Sequence, residues 1–392
     1  MQIVQAVFGV FHHFELAHQL HRKGHLLKLY STWPWARLKR EGLSHDLVST
    51  FPYLHGTDHI LNRTKFYPRA VSVAVNRWNA ILFDEYTRRV IPQCDAFIGI
   101  SGAGLLTGKL VQRRGGKFIC DRGSTHQRFQ EQTLAAEYAR WKVPLPPPTP
   151  HIAIREEAIY AAADAITVPS TASRRSFVAM GVPESKVHVI PYGVRLDKFK
   201  RTVAPPTDSF EVLFAGQVAL RKGVPYLLEA FARLRHPRKR LTFVGTVLDH
   251  MHPLLRDLPT DHVTFLGSLP QTELVERMGR SHVLVLPSIE EGLALVQAQA
   301  MACECPVIAT RSTGGEDLFT DEVEGYIVPD RDVDALAERM QRLADDPALQ
   351  QRLAAAALER VKSIGGWNTY GERWDQLLHG LTGLPQDSFE TS

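Results

Sequence analysis

The sequence predicts an α/β protein built from two domains, each a mostly parallel sheet covered by helices. Three observations carry this. Short apolar runs alternate with amphipathic stretches in strand–helix–strand units of about 30 residues, the pattern of parallel strands joined by right-handed crossovers. A polar stretch without periodicity, K-R-T-V-A-P-P-T-D-S at 200–209, carries two prolines and divides the chain as a linker does. The length, 392 residues, is too great for one ordinary domain at about 150 residues each.

In the first half, I-V-Q-A-V-F-G reads as a strand, F-E-L-A-H-Q-L-H-R-K as a helix ending at Gly24, and L-L-K-L-Y as a second strand. D-A-F-I-G-I-S, the helix in G-L-L-T-G-K-L-V and the strand K-F-I-C-D repeat the unit. Residues 32–90 break the rhythm and yield no clear assignment. P-L-P-P-P-T-P (144–150) is stiff by composition and reads as a connection. After the linker come the strands E-V-L-F-A-G, L-T-F-V-G, H-V-T-F-L-G, H-V-L-V-L-P-S and P-V-I-A-T. Helices are expected from Lys222 to Leu234, from Thr272, within A-L-V-Q-A-Q-A-M-A and throughout the tail from Asp332. Each half is thus Rossmann-like. Ligands of such sheets sit beyond the carboxyl ends of the strands, so the cleft between the halves is the expected site.

Composition excludes several classes. Hydrophobic residues at 44% and charged residues at 22% rule out a disordered or collagenous chain. Lys and Arg number 46 against 42 Asp and Glu, and a net charge of +4 is too small to argue for nucleic acid as a partner. Four cysteines, Cys94, Cys120, Cys303 and Cys305, read as reduced thiols, and the Cys303/Cys305 spacing is wrong for zinc. No segment reaches the roughly 18 apolar residues of a membrane span, and the N-terminus lacks a basic leader and cleavage site, so a cytoplasmic chain is expected. His18, His21 and His25 are spaced for one helix face, but no carboxylate or cysteine completes a set, and no metal site is expected.

Two stretches carry the chemistry. In E-V-L-F-A-G-Q-V-A-L-R-K-G, a strand runs into Gly216 and Gln217, and Arg221 and Lys222 stand just before Gly223 and a helix. Amides at a helix start together with two cations suit a diphosphate-sized anion, although the G-x-x-x-x-G-K-[ST] loop is absent. In L-P-S-I-E-E-G-L-A-L-V-Q-A-Q-A-M-A-C-E-C-P-V-I-A-T, Glu290, Glu291 and Gly292 follow a strand, and a helix begins near Leu295. Carboxylates there can accept hydroxyl hydrogen bonds while the helix start faces an anion. By spacing alone, the cations also fit solvated surface charges, and the glutamates fit first-turn residues of an ordinary helix.

In the same order follow S-T-G-G-E-D and E-G-Y-I-V-P, and upstream stand E-E-A-I-Y-A-A-A-D-A-I-T-V-P-S and V-H-V-I-P-Y-G-V-R-L-D-K-F. Together these motifs, from about 150 to 365, resemble family 4 glycosyltransferases, retaining enzymes of the GT-B fold. The resemblance implies an acceptor-side domain at 1–200, a nucleotide-sugar donor-binding domain at 201–365, and a crossover helix and tail at 366–392. It implies that Lys222 holds the donor diphosphate and Glu291 binds hydroxyls of the transferred sugar. Gly216, Gln217, Arg221, Gly292, Leu295, Val296 and Gln299 then complete the donor site, with the amides at Leu295 and Val296 capping the phosphates. His126, in F-I-C-D-R-G-S-T-H beside Asp121 and Arg122, takes the place of a sugar-contacting histidine. Gly9 to His13 line the cleft, and Trp367, Tyr370 and Trp374 anchor the returning helix.

Four positions depart from the family pattern. Gln299 stands where a second glutamate takes the ribose hydroxyls, and an amide offers one acceptor oxygen without charge. Gln217 replaces an arginine, which Arg221 could supply from the other end of the loop. Ala294 and Glu304 replace glycines, the latter at a helix end where a left-handed residue costs about 1 kcal/mol more than glycine.

The resulting expectation is a metal-independent, retaining transferase without a resident cofactor, using a UDP- or GDP-linked sugar as co-substrate. Its acceptor is expected to be a saccharide or lipid-linked hydroxyl. Peripheral contact with the inner membrane face would involve basic stretches such as R-H-P-R-K-R (235–240), which also reads as a solvated helix end. Two alternatives remain open: an impaired binding or scaffold protein on this fold, and a nucleotide-sugar epimerase or phosphorylase.

Overall fold

The computed structural model describes residues 1–53, 69–147, 149–195 and 197–385. Among these, two all-parallel sheets form. The first orders its seven strands 3-2-1-4-5-6-7: β1 (Ile3–Val7), β2 (Leu26–Ser31), β3 (Val48–Thr50), β4 (Ala96–Ile100), β5 (Lys117–Asp121), β6 (Ala165–Val168) and β7 (Val187–Val189). The second orders six strands in the same sense, 10-9-8-11-12-13: β8 (Phe210–Ala215), β9 (Lys239–Val244), β10 (Val263–Phe265), β11 (Val283–Leu286), β12 (Val307–Thr310) and β13 (Gly325–Val328). Strand order reverses at β1/β4 and at β8/β11, so each sheet opens a crevice at its carboxyl end there.

The central strands are buried on both faces: β1, β8, β11 and β12 are apolar runs with almost every residue enclosed. That is the signature of a sheet covered by helices on both sides, and it made these strands readable. The long helix Arg69–Val90 lies in the stretch that yielded no assignment. It leaves Val71, Trp78 and Leu82 exposed while burying Asn79 and Asp84, so it shows no clean apolar stripe. Helix Met251–Asp257 likewise carried too short a pattern to be read. The expected helix from Lys222 starts later, at Val224, because Leu220–Lys222 forms a tight 3₁₀ turn closed by left-handed Gly223.

After helix Pro347–Ile364 the chain turns at Gly365 and returns as helix Trp367–Thr382 against helix Phe11–Arg22 of the first sheet. The two backbones approach closely at Gly371, where an added Cβ would lie 2.6 Å from the Gln19 side chain. Tyr370 and Trp374 are fully enclosed in this interface, as expected of anchors. His18, His21 and His25, spaced for one helix face, go to different surroundings. His18 bonds the Glu41 carbonyl (2.6 Å), His21 is exposed, and His25 instead meets Asp375 of the returning helix (3.2 Å). All four cysteines are buried and free. Glu304 adopts the left-handed conformation (φ 53°) anticipated for a glycine position, and Arg201 of the linker holds it by hydrogen bonds to its carboxylate and carbonyl.

Replacing Trp374 by Ala empties a space shared by both halves. The expected loss is about 3–5 kcal/mol, read as a lowered urea midpoint for the transition that exposes the returning helix.

Candidate active site

The loops leaving β8 and β11 are knitted together at the crevice. Ile289 N–H donates to the Arg221 carbonyl (2.8 Å), and a Cβ on Gly223 would lie 1.9 Å from the Pro287 oxygen, so only glycine fits. This contact places the 3₁₀ turn carrying Arg221 and Lys222 against the loop carrying Glu290 and Glu291. The Lys222 ammonium donates to Glu291, with both side chains largely enclosed. Arg221 spans Glu290 (3.3 Å) and Glu291 (3.4 Å). Gly216 extends the start of the turn (φ 151°) beside the Lys222 stem, while Gln217 points to solvent. The helix beginning at Val296 directs its first amides, at Leu295 and Val296, away from any intrahelical acceptor. Leu295 and Gln299 line a cavity of about 500 Å³ with Val10, Phe11, His12 and Arg195 from the other half. Trp367, expected only to pack, also lines it.

Glu290 and Gly292 bind the two halves. The Glu290 carboxylate, fully enclosed, accepts from Ser124 (2.9 Å), Thr125 (2.6 Å) and Gln130 (2.8 Å) of the first half. Burial pushes its pKa up, but these hydrogen bonds and Arg221 outweigh it and hold the group below its ordinary value. The Gly292 carbonyl accepts from Ser170 (2.5 Å) and Ser173 (3.2 Å), and a Cβ at Gly292 would lie 2.1 Å from the Gly123 oxygen.

Helix Gln127–Arg140, absent from the sequence reading because it has almost no apolar stripe, reaches across to the second half. Its enclosed Glu137 accepts from Tyr226 (2.7 Å) and Arg331 (2.7 Å). Thr171, at the start of another helix of the first half, donates twice to Asp317 (2.7 Å each).

His126 does not take the position expected of it. Its Nδ1 accepts from the Arg128 amide as a helix cap, and its ring packs against Tyr160 and Phe177, each 5.0 Å away. Burial drives its pKa down to about 4, which keeps the ring neutral near pH 7. A histidine that lines the cavity of about 500 Å³ is His12, bonded to Asp121 (3.0 Å). The basic stretch 235–240 is partly spent on structure: Lys239 Nζ donates to the carbonyls of Phe231, Ala232 and Leu234 at a helix end. No helix among the described residues is long and apolar enough to cross a membrane.

Two crevices facing across a cleft define the GT-B class of fold. The family model described as "Glycosyl transferases group 1" matches residues 197–360, and "Glycosyltransferase Family 4" matches 122–198. Together they span more than half of the chain, which belongs to these group 1, family 4 glycosyltransferases. The D-inositol 3-phosphate glycosyltransferase of Kribbella flavida is 29% identical over 242 residues, covering 56% of this chain and 57% of the relative. A GDP-mannose-dependent alpha-(1-6)-phosphatidylinositol monomannoside mannosyltransferase of Mycolicibacterium smegmatis is 28% identical over 243 residues, covering 56% and 63%. The chain thus matches little more than half the length of these curated relatives. Sucrose-phosphate synthase from Thermosynechococcus elongatus shares the fold at a TM-score of 0.72 and 22% identity, covering 98% of this chain and all of that one. Anabaena HepE in complex with UDP-glucose does so at 0.66 and 16%, covering 98% and 100%.

Gly292→Ala must push the Gly123 backbone away. A loss of about 1–3 kcal/mol is expected, seen as a lowered thermal midpoint, whereas Ala294→Gly, away from this contact, should shift it far less.

Proposed function

We propose that this chain is a retaining glycosyltransferase that moves a sugar from a nucleotide-diphosphate donor to an acceptor hydroxyl. The observation that carries this reading is the enclosed Lys222–Glu291 pair, set beside the helix start at Leu295–Val296 and the cavity reaching Gln299. In the absence of donor, the ammonium and the carboxylate satisfy each other. A diphosphate entering the crevice offers Lys222 a better anion, and Glu291 is then released to accept sugar hydroxyls. Arg221 remains close enough to share the anionic charge, the part that Gln217 cannot play. Cation and helix-end amides stabilise charge on the departing diphosphate without moving, which is where such sites gain most of their rate.

Ribose hydroxyls fall to Gln299, which offers one carbonyl acceptor. The acceptor enters from the first half, above Val10 to His12. UDP- and GDP-linked sugars are both candidates as co-substrate, with no resident cofactor and no metal required. Contact with anionic lipid at a membrane face belongs to the same proposal, and liposome co-sedimentation without binding would remove that part.

Calorimetric titration with UDP, GDP and ADP, without added metal, tests the reading. One nucleotide should bind, and Lys222→Ala should weaken it by about 10–100-fold, the scale of a lost charge-assisted hydrogen bond. Absence of binding by all three would favour a scaffold on this fold. Gln299→Glu should change turnover by less than about threefold where the amide is the working residue; a large gain would mark the native site as impaired.

A further inference from the structure

Outside the cleft, the returning helix and the first sheet bring two imidazoles and a carboxylate to one point. His25 directly precedes β2, and its backbone is fixed on both sides: its amide donates to the Leu20 carbonyl and its carbonyl accepts from the Ile3 amide (2.8 Å each). Asp375 and His379 lie four residues apart on helix Trp367–Thr382, so both project from one face. By spacing alone His25 had no carboxylate to complete a set; the fold supplies one from the returning helix. The ligand-capable atoms of the three residues all lie within 4.8 Å of one another. The side chains of His25, Asp375 and His379 keep 6%, 13% and 9% of their surface, so the set lies just beneath the surface. None of the three lines the cavity that reaches Gln299.

Asp375 Oδ1 stands 3.2 Å from His25 Nε2 and 3.6 Å from His379 Nε2, and it is enclosed without a hydrogen-bond partner among the described residues. Charge-assisted N–H···O contacts close to about 2.7–2.9 Å, shorter than either separation. Atoms held about 2.0–2.1 Å from a tetrahedral zinc lie about 3.3 Å from one another, a value the two separations bracket. Such an ion occupies the gap between its ligands, where no water-sized space is needed, so an enclosed Oδ1 is what the site would present.

The far side of each ligand is held as well. His379 Nδ1 is 2.8 Å from the Leu384 carbonyl, which only accepts, so Nδ1 carries the hydrogen and the neutral ring turns its Nε2 lone pair toward Oδ1. Asp375 Oδ2 accepts from Lys23 (3.2 Å), which leaves the other oxygen facing the rings. His25 Nδ1 faces the Met1 nitrogen (3.5 Å). Partners of this kind orient metal-binding imidazoles and carboxylates. A lone pair and a carboxylate oxygen face each other across a shared cation, and separations too long for a shared proton leave a metal ion. Two nitrogens and one oxygen suit zinc better than calcium or magnesium.

We propose that His25, Asp375 and His379 hold a zinc ion, with water in the fourth position, as a staple between the first sheet and the returning helix. The role is structural. It does not rest on the transferase reading, and it places no metal where the sugar is transferred.

The test strips the whole chain with a chelator and titrates it calorimetrically with zinc, using magnesium and calcium as controls. One zinc per chain should bind and raise the thermal midpoint by about 2 °C or more at saturation, while the controls do neither. His379→Gln should weaken zinc binding by about 100-fold or more and abolish the rise in midpoint. His21→Gln, at an exposed histidine outside the set, should behave as the wild type. Asp375→Asn serves as the second variant if the first fails to fold. X-ray absorption of the zinc-loaded chain should show nitrogen and oxygen neighbours at about 2.0–2.1 Å. Absence of zinc binding overturns the proposal and leaves Asp375 as an ion-pair partner of the two rings. Zinc that survives both variants also overturns it, as does zinc lost in His12→Gln instead, which would assign the ion to His12, His13 and Asp121. Sulfur neighbours at about 2.3 Å would move it to cysteine and overturn the proposal too. None of these outcomes bears on nucleotide binding, so the transferase reading stands or falls separately.

Discussion

The enclosed carboxylate of Glu290 is the interaction on which the rest of the site depends. It takes three hydrogen bonds from the first half and one cation from the second, so the two sheets share a single buried charge. A buried carboxylate is tolerated only when every partner is in place, and removing one leaves the charge uncompensated. That requirement fixes the Ser124–Thr125 loop against the Glu290–Gly292 turn. The same register seats Glu291 on Lys222 and brings His12 to the edge of the cavity. Glycines at 123 and 292 are the steric condition for the register, since the backbones meet without room for a Cβ.

Much of the architecture was legible because the central strands are buried on both faces and therefore read as mostly apolar runs. The second half was legible in its loops for a different reason: Lys222, Glu291 and the helix start are brought together by local loop geometry, which a short motif encodes. The first half resisted for lack of such locality. Helix Gln127–Arg140 has polar faces on both sides because it joins two domains, and amphipathic periodicity cannot reveal a helix whose partner lies across a cleft. His126 was the natural choice by loop position, yet a cap and two aromatic rings claim it. His12 was placed in the cleft with Gly9 to His13, but its bond to Asp121, 109 residues away along the chain, had no local signal.

Two of the departures from the family pattern are met by neighbouring residues. Glu304 pays for its left-handed backbone with Arg201, so the strain of one position is offset by a linker residue that also ties the halves together. Ala294 is buried, its amide bonded to the Thr313 carbonyl (3.1 Å). Gln217 leaves its end of the loop uncharged, and the cations gather at the other end.

The Glu137 network has a consequence for traffic through the cleft. Parting the halves along helix Gln127–Arg140 would strip Tyr226 and Arg331 from an enclosed carboxylate, a cost of several kcal/mol. That edge therefore behaves as a clasped spine. The opposite margin, where Phe11, Gln271 and Trp367 ring the cavity, has no such clasp among the described residues and is the free margin. Whatever the cleft takes passes by that margin, and any rocking of the halves turns about the far side like the cover of a bound book.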